Sequence, residues 1–459
     1  MKKILIYLFL LSPLWLTIVS CEKDNLRSES TSSLVDSYNQ DDLLQAIAQV
    51  TAKAQMQTSF RSILLEVAKE HYGSEQTVFY IDIKDRTIDE SKTVKDLLQL
   101  EAQNLNIPVS LFESEFLISQ GLAKLSFTIY DGSSNNDLVE FTYSKPIPVV
   151  AEDRNMISSE EQLINAYDEE LNTIQVSNMD DPEFAVLVIE NNQSFVLYSA
   201  TNGKSLSGSD LSEIMDVSIT SDLQEQIVQN IDLHKMLIVD GEEYQLLSKN
   251  QVIAYINSLE EADRDRTNAG RSCNRDSRNG REATTGVNIV HSQLKTFCKW
   301  YKSNCNVEIN TVYAASPNFT AGEAFVSNLP KKYVNGKRKD MKNGKNFSYF
   351  LPLYKLEFLE GNHGDRYTVD FVGKHHNPDG SSTFSIGLAP KVKFKLFGAE
   401  VELTIFNATY STTKANNDTN LGGDLVQYCE SIDIIPCTPF GSCGRYDSGS
   451  IKFWITKEN

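Results

Sequence analysis

Five side chains of the types that bind metal ions lie close together in the C-terminal part of the chain. They belong to the segments G-N-H-G-D-R and K-H-H-N-P-D-G, which supply His363, Asp365, His375, His376 and Asp379. If the residues between the two segments form a strand, the two groups lie at its opposite ends, roughly 25 Å apart. Neighbouring histidines of an extended chain also point to opposite faces, and Asn-Pro-Asp-Gly is a turn sequence. We therefore expect a hairpin turn here and no metal site.

A run of basic residues offers a second kind of chemistry. Lysine ammonium groups act as point charges toward phosphate or sulfate, so the run is a candidate site for an anionic envelope glycan such as lipopolysaccharide. The alternative is an ordinary solvated loop, because Asn-Gly pairs and Asp340 interrupt the run. The candidate anion-binding residues are Lys331, Lys332, Lys337, Arg338, Lys339, Lys342 and Lys345.

The common catalytic motifs that are encoded in one short segment are missing from the sequence. It contains no G-x-S-x-G elbow, P-loop, dinucleotide fingerprint, H-E-x-x-H helix or EF-hand loop. A catalytic site assembled from distant parts of the chain would escape this search. We expect no cofactor, and the sequence favours a binding role over an enzymatic one.

The first twenty residues have the anatomy of an export signal. Lys2 and Lys3 form a short basic region, an apolar stretch covers residues 4–19, and the small residue Ser20 follows. The apolar stretch is shorter than the roughly 20 residues that a bilayer-spanning helix needs, and it contains Pro13. An export signal is therefore favoured over a permanent membrane helix.

The segment Ile18-Val19-Ser20-Cys21 resembles the lipobox of bacterial lipoproteins. This resemblance implies cleavage before Cys21 and attachment of lipid to its sulfur, whose acyl chains would anchor the protein to the membrane. The charged cluster Glu22-Lys23-Asp24-Asn25 looks like the surface-export signal of lipoproteins in Bacteroidota, whose uncharacterised envelope lipoproteins the leader resembles. The implied location is the cell envelope, on the outer membrane, with surface exposure as one alternative.

Six cysteines remain once Cys21 is assigned to the lipid, and all of them lie in the C-terminal part. An even number of thiols in an oxidising envelope predicts up to three disulfides, with fifteen conceivable connectivities. One arrangement would pair the first three with the last three. Zinc is the alternative, but no two cysteines have the spacing of two to four residues typical of structural zinc sites. The disulfide candidates are Cys273, Cys298, Cys305, Cys429, Cys437 and Cys443.

The two halves of the chain differ in charge. Residues 271–459 contain 24 Lys and Arg against 18 Asp and Glu, so the total of 43 basic and 62 acidic residues leaves 19 against 44 in residues 1–270. Oppositely charged halves would attract each other, which suggests at least two domains. An acidic N-terminal half also argues against nucleic acid as a partner.

The pattern of apolar residues predicts two kinds of structure. Helical spacing over residues 43–54, 60–67, 223–233 and 251–259 alternates with strand-like runs over 77–83, 122–130, 138–143, 184–189 and 195–199, as in an α+β region. Strand patterns dominate after residue 286, including a hairpin over 392–406, as in a mainly antiparallel, sandwich-like domain. Six arginines among polar residues mark the linker between them. The predicted division is a signal peptide at 1–20, a lipid-anchored tether at 21–40, an acidic α+β domain at 41–263, a linker at 264–286 and a β-rich disulfide-containing domain at 287–459.

These observations favour a cell-envelope lipoprotein that acts as a non-catalytic module binding a glycan or a protein. Its other expected partner is the membrane, through the lipid on Cys21. Two alternatives stay open. One is an envelope hydrolase, and the other is a secretion or assembly accessory protein in which the acidic half masks the C-terminal half.

Overall fold

The computed structural model describes residues 39–458, with gaps, and within some elements it describes only the backbone. The gaps are residues 71–76, 133–137, 139, 159, 200, 216–218, 232–233, 263–280, 316–324, 329–331, 344–350, 353–365, 375–380, 387–390, 397–398, 405–409, 416–417, 428–433 and 438–440. The predicted signal peptide, Cys21 and most of the predicted tether therefore lie outside the described residues.

The first half alternates helices with strands. Its helices are α1 (Gln40–Ala54), α2 (Thr58–Glu70), α3 (Tyr80–Ile83), α4 (Val94–Asn104), α5 (Ser114–Ser119), α6 (Arg154–Ile157), α7 (Leu211–Met215), α8 (Ser221–Asn230) and α9 (Lys249–Ala262), with a 3-10 helix at Val109–Phe112. Its strands are β1 (Thr77–Phe79), β2 (Thr87–Asp89), β3 (Lys92–Thr93), β4 (Leu125–Tyr130), β5 (Val149–Ala151), β6 (Leu163–Tyr167), β7 (Thr173–Ser177), β8 (Val186–Asn191), β9 (Phe195–Tyr198), β10 (His234–Val239) and β11 (Glu242–Ser248).

A six-stranded sheet in the order β1-β4-β8-β5-β6-β7 forms the centre of this half. Strands β4 and β8 are buried along their whole length, because α1, α2 and α4 cover one face and a segment of the second half covers the other. Helix α1 begins where its apolar spacing predicts: Asn39 and Asp42 form a capping box, and the Leu43, Leu44 and Ile47 face is buried. A smaller sheet, β10-β11-β9, packs against α8 and α9.

The second half consists mainly of antiparallel strands. Its strands are β12 (Arg281–Ile289), β13 (Asn304–Ala315), β14 (Phe325–Asn328), β15 (Lys332–Lys337), β16 (Leu351–Pro352), β17 (Arg366–Lys374), β18 (Ser381–Ile386), β19 (Lys391–Leu396), β20 (Ala399–Thr404), β21 (Tyr410–Ala415), β22 (Thr419–Gln427), β23 (Ile434–Cys437), β24 (Gly441–Asp447) and β25 (Ile451–Glu458). Its helices are α10 (His291–Phe297) and α11 (Arg338–Lys342).

Two sheets dominate this half, one in the order β16-β12-β25-β24-β23 and one in the order β14-β13-β17-β22, with β15 also paired to β13. Strands β18 with β21 and β19 with β20 form separate antiparallel pairs, and the second of these is the predicted hairpin. The fold class is therefore confirmed as an α+β region followed by a β-rich region.

Strand β13 positions much of the site described below, because its two faces differ in chemistry. Val307 and Ile309 point into the apolar core beneath α10, which also contains Phe297 and Phe371. The alternate residues Asn306, Glu308 and Asn310 are also buried, each about 1% exposed, on the opposite face. A fully buried polar face needs internal partners, and helix α9 of the first half and neighbouring strands supply them.

Two predicted strands differ from the structure. Residues 80–83 form a helical turn, and the described residues of 138–143 form no strand. The carbonyl of Tyr143 accepts a hydrogen bond from Arg61 Nε at 3.2 Å, and the Tyr143 hydroxyl bonds Gln55. Side chains of α2 and of the turn that follows α1 thus satisfy polar groups of this segment without a strand ladder.

The described residues from 39 to 458 belong to one compact unit by their backbone contacts. The residues 263–280, which include most of the predicted linker, lie outside the described part of the chain. The division into two domains at residues 264–286 therefore stays a prediction.

Candidate functional site

A disulfide-closed loop of the second half inserts into the first half. Cys298, after α10, bonds to Cys305 on β13 with their Cα atoms 5.5 Å apart, which closes the loop C-K-W-Y-K-S-N-C. This bond joins two of the first three cysteines, so an arrangement that pairs each of them with one of the last three is wrong for this pair. By loop-closure entropy a ring of this size contributes roughly 2.5 kcal/mol to stability.

The aromatic residues of this loop are fully buried. Trp300 packs edge-on against Tyr130, with ring centroids 4.9 Å apart, and its indole N–H donates to the Ser177 carbonyl at 3.1 Å. Tyr301 lies beside it, 1% exposed, in an apolar cluster with residues of β5, β6, β7 and β8. The loop is therefore an anchor between the halves, since buried aromatic rings contribute the largest apolar areas to packing.

The loop also contains two lysines, the buried Lys299 and the half-buried Lys302, and both bond to groups of the first half. Lys302 Nζ lies 3.1 Å from a Glu152 oxygen and also pairs with Glu190, while the Tyr301 hydroxyl donates to Glu152. Lys299 Nζ donates to the Ser158 carbonyl. The side chains of Glu152 and Glu190 are almost completely buried, at 6% and 1% exposure. This network satisfies the charges that insertion of the loop removes from water.

Burial and charge shift the pKa values of this network in opposite directions. Burial, assisted by the nearby Glu190 carboxylate, raises the pKa of Glu152 although Lys302 opposes the shift. Burial disfavours the charged form of Lys302, yet the two carboxylates outweigh it and raise the pKa of the ammonium. Lys302 therefore stays charged, and it balances one of the two acids.

A small polar pocket lies beside this network. The centre of a water molecule can occupy about 20 Å³ of it, which is room for one or two waters and not for a sugar or a peptide. Its lining is entirely polar or aromatic: Thr77, Thr128, Glu190, Asn192, Ser194, Asn250, Tyr301, Lys302, Ser303 and Asn304. Thr128 Oγ1 donates to Glu190 at 2.6 Å, which leaves this carboxylate bound on two sides.

The fold places the residues of the predicted basic run in different environments, from buried to exposed. Arg338 is 3% exposed and forms a bidentate salt bridge with Asp181, with N–O distances of 2.7 and 3.2 Å. Lys342 pairs with the same carboxylate at 2.5 Å. Although burial opposes it, Arg338 lowers the pKa of Asp181. Lys337 is exposed, whereas Lys339 is half-buried. Lys332 is half-buried on β15, and Lys331 and Lys345 lie outside the described residues.

The polar face of β13 carries a second buried ionic cluster. Lys374 Nζ lies 2.6 Å from Asp418 and 3.5 Å from Glu308, and this second carboxylate also accepts from Tyr333 at 3.1 Å and Asn310 at 2.9 Å. Burial opposes the charge, but the two acids raise the pKa of Lys374. Every charge of this cluster therefore has an opposite partner.

Asp370 on β17 is the exception on this face. It is 3% exposed and pairs in register with Asn310 and Gly423, yet no hydrogen bond or ion pair to its carboxylate is found among the described residues. Burial alone raises the pKa of Asp370 from 3.8 to about 7. Gly423 is required opposite it, because a Cβ there would come within 2.2 Å of both the Val369 carbonyl and Asp370.

The remaining predicted site residues are only partly visible. His363, Asp365, His375, His376 and Asp379 lie outside the described residues, although the strand predicted between them is present as β17. Cys437 and Cys443 lie on β23 and β24, whereas Cys21, Cys273 and Cys429 lie outside the described part. Within that part, no group of three or more acidic, histidine or cysteine side chains has the arrangement of a metal site.

Sequence reasoning missed the acidic partners of the loop. Glu152 and Glu190 precede Lys302 by more than a hundred residues and belong to no motif. One local signal was present: two cysteines seven residues apart flanked the only Trp-Tyr pair of the sequence.

Comparison with known proteins gives no relative for this chain. No protein-family model, curated protein or solved structure matches it. Among the described residues, no helix is both long and apolar enough to cross a bilayer.

Proposed function

We propose that this protein is a lipid-anchored envelope lipoprotein whose body is a non-catalytic module that binds an anionic glycan. One observation carries the non-catalytic part of the proposal. In the loop network, Glu152 and Glu190, which could perform acid–base chemistry, are both paired with Lys302, and the space beside them admits only water. A substrate has no room at this site, which favours a structural role for it over the envelope hydrolase.

The anionic ligand follows from the charges that the fold leaves near solvent. Asp181 neutralises Arg338 and Lys342, whereas Lys337 and Lys339 lie at the junction of β15 and α11 with at least part of their surface exposed. Lysines at such a position attract phosphate or sulfate groups, which lipopolysaccharide carries. A protein partner is the alternative occupant.

An assembly accessory is the second candidate, and one observation favours it. Among the described residues, each ion pair between the halves joins an acid of the first half to a base of the second: Glu152 and Glu190 with Lys302, Asp180 with Lys295, and Asp181 with Arg338 and Lys342. The acidic half thus covers basic groups of the second half, as a masking segment would.

The anchor is tested by replacing Cys21 with serine. The Cys21→Ser protein should lose incorporation of a labelled fatty acid and leave the membrane fraction, because serine cannot form the thioether. The matched control is Ser20→Ala, which keeps a small residue before the cysteine and should keep the label. A Cys21→Ser protein that still carries the label and stays in the membrane would contradict lipid attachment at this residue.

The ligand is tested with purified lipopolysaccharide and the soluble body of the protein without its leader. The double variant Lys337→Gln and Lys339→Gln should bind about tenfold more weakly, since the charge contacts of one exposed and one half-buried lysine together contribute roughly 1 to 1.5 kcal/mol. The control variant, Lys92→Gln with Lys204→Gln, removes the same charge from exposed positions of the first half. Equal affinity of both variants and the parent would reject this surface, and sugar release during incubation would favour the hydrolase.

A further inference from the structure

The side-chain amine of Lys124 has an unusual set of partners. Its Nζ lies 2.8 Å from Gln193 Oε1 and 3.1 Å from the Phe195 carbonyl, and both acceptors are neutral. Among the described residues no carboxylate bonds to it. By contrast, Lys95 lies 2.6 Å from a Glu113 oxygen, as is usual for a partly buried lysine.

Two neutral acceptors fit a neutral amine better than an ammonium ion. An uncharged amine has two N–H groups and one lone pair, so these acceptors use both hydrogens and leave the lone pair free. An ammonium ion would bring a third donor and a charge that no acid in the described part of the chain balances. Burial, together with the positive charge of Lys249, lowers the pKa of Lys124 to about 7, which agrees with this geometry.

The surroundings of the amine fix its position on a side chain that is not fully buried. Lys124 and Gln193 are both half-buried, and the Lys124 carbonyl accepts the Asn192 N–H at 3.1 Å. Asn192 and Ser194 also line the small polar pocket, so the turn that bonds the amine borders this pocket. A nucleophile whose hydrogen bonds fix its direction needs little further ordering to react.

We propose that Lys124 is a reactive amine that captures an aldehyde or ketone as an imine. The nitrogen lone pair bonds to the carbonyl carbon, the two amine protons leave with the carbonyl oxygen as water, and a C=N bond remains. This site goes beyond the proposed glycan surface and does not depend on it. Such a bond is reversible, and it would serve to hold a carbonyl compound without further chemistry.

The wild-type body can be tested directly with glyceraldehyde and cyanoborohydride at pH 7, followed by peptide mapping. The reductant converts each imine into a stable secondary amine. About half of an amine with this pKa is neutral at pH 7, against fewer than about one in a thousand for an ordinary lysine. Lys124 should therefore be labelled at least tenfold faster than Lys95. Equal or slower labelling of Lys124 would overturn the proposal.

A single substitution tests whether the neutral hydrogen-bond acceptors cause the reactivity of Lys124. Gln193→Glu places a carboxylate where the neutral acceptor now lies, which should stabilise the ammonium and lower the labelling rate of Lys124 at least tenfold. The matched control is Gln175→Glu, an exposed position on β7, which should leave the rate unchanged. Circular dichroism of both variants checks folding. A folded Gln193→Glu protein that labels as fast as the parent would show that the neutral partners do not create the reactivity.

Discussion

The Lys302→Met variant is expected to lose about 3 to 5 kcal/mol of unfolding free energy, because the substitution leaves two buried carboxylates without their counter-ion. Glu152 and Glu190 cannot reach solvent, and Lys302 is the cation that lies between them. Methionine keeps the length and apolar stem of the side chain, so the loss reports the charge rather than a cavity. Chemical denaturation at neutral pH measures this difference.

Two further variants separate the ion pair from general damage to the interface. Lys295→Met removes a half-exposed lysine that pairs with Asp180, and it should cost less than about 1 kcal/mol. Adding Glu152→Gln and Glu190→Gln to Lys302→Met removes the unpaired charges, so the triple variant should recover a large part of the lost stability. If Lys302→Met and Lys295→Met have equal effects, the buried network does not hold the halves together.

The second large effect concerns Asp370 and depends on pH. Its pKa is raised from 3.8 to about 7 in the folded protein. Between these two values the unfolded chain has released the proton while the folded chain retains it, so stability falls as pH rises, by on the order of 4 kcal/mol in total. Asp370→Asn removes this titration. Its stability relative to the wild type should therefore increase by about 2 to 3 kcal/mol between pH 5 and pH 8.

Urea denaturation of both proteins at the two pH values measures this increase, which is insensitive to the packing of the new amide. The control is Asp85→Asn, whose carboxylate is 79% exposed and should show no comparable pH dependence. An advantage of Asp370→Asn that is equal at pH 5 and pH 8 would show that the carboxyl group titrates near its ordinary value in the folded state.

Local chemistry accounts for the elements that the sequence predicted well. Strand β19, which pairs with β20, alternates lysines with Val392, Phe394 and Leu396, and α1 combines a capping box with apolar spacing. The strand predicted over 138–143 failed because Gln55 and Arg61, distant in sequence, satisfy its polar groups. Such partners leave no periodic signal in the segment itself.

The features of the candidate site likewise divide into those that the sequence predicted and those that only the tertiary structure decided. Residue types and short spacings were enough to establish the opposite charges of the two halves and to predict a β-rich C-terminal region, whereas the lipobox at Cys21 stays a prediction. Tertiary packing alone decided that the K-W-Y-K loop enters the first half, that Arg338 turns inward to Asp181, and that Asp370 has no partner among the described residues. The physical reason is that patterns of charge and of apolar residues can be recognised within a short segment of the chain. Burial and ion pairing depend instead on which distant residues share a low-dielectric interior.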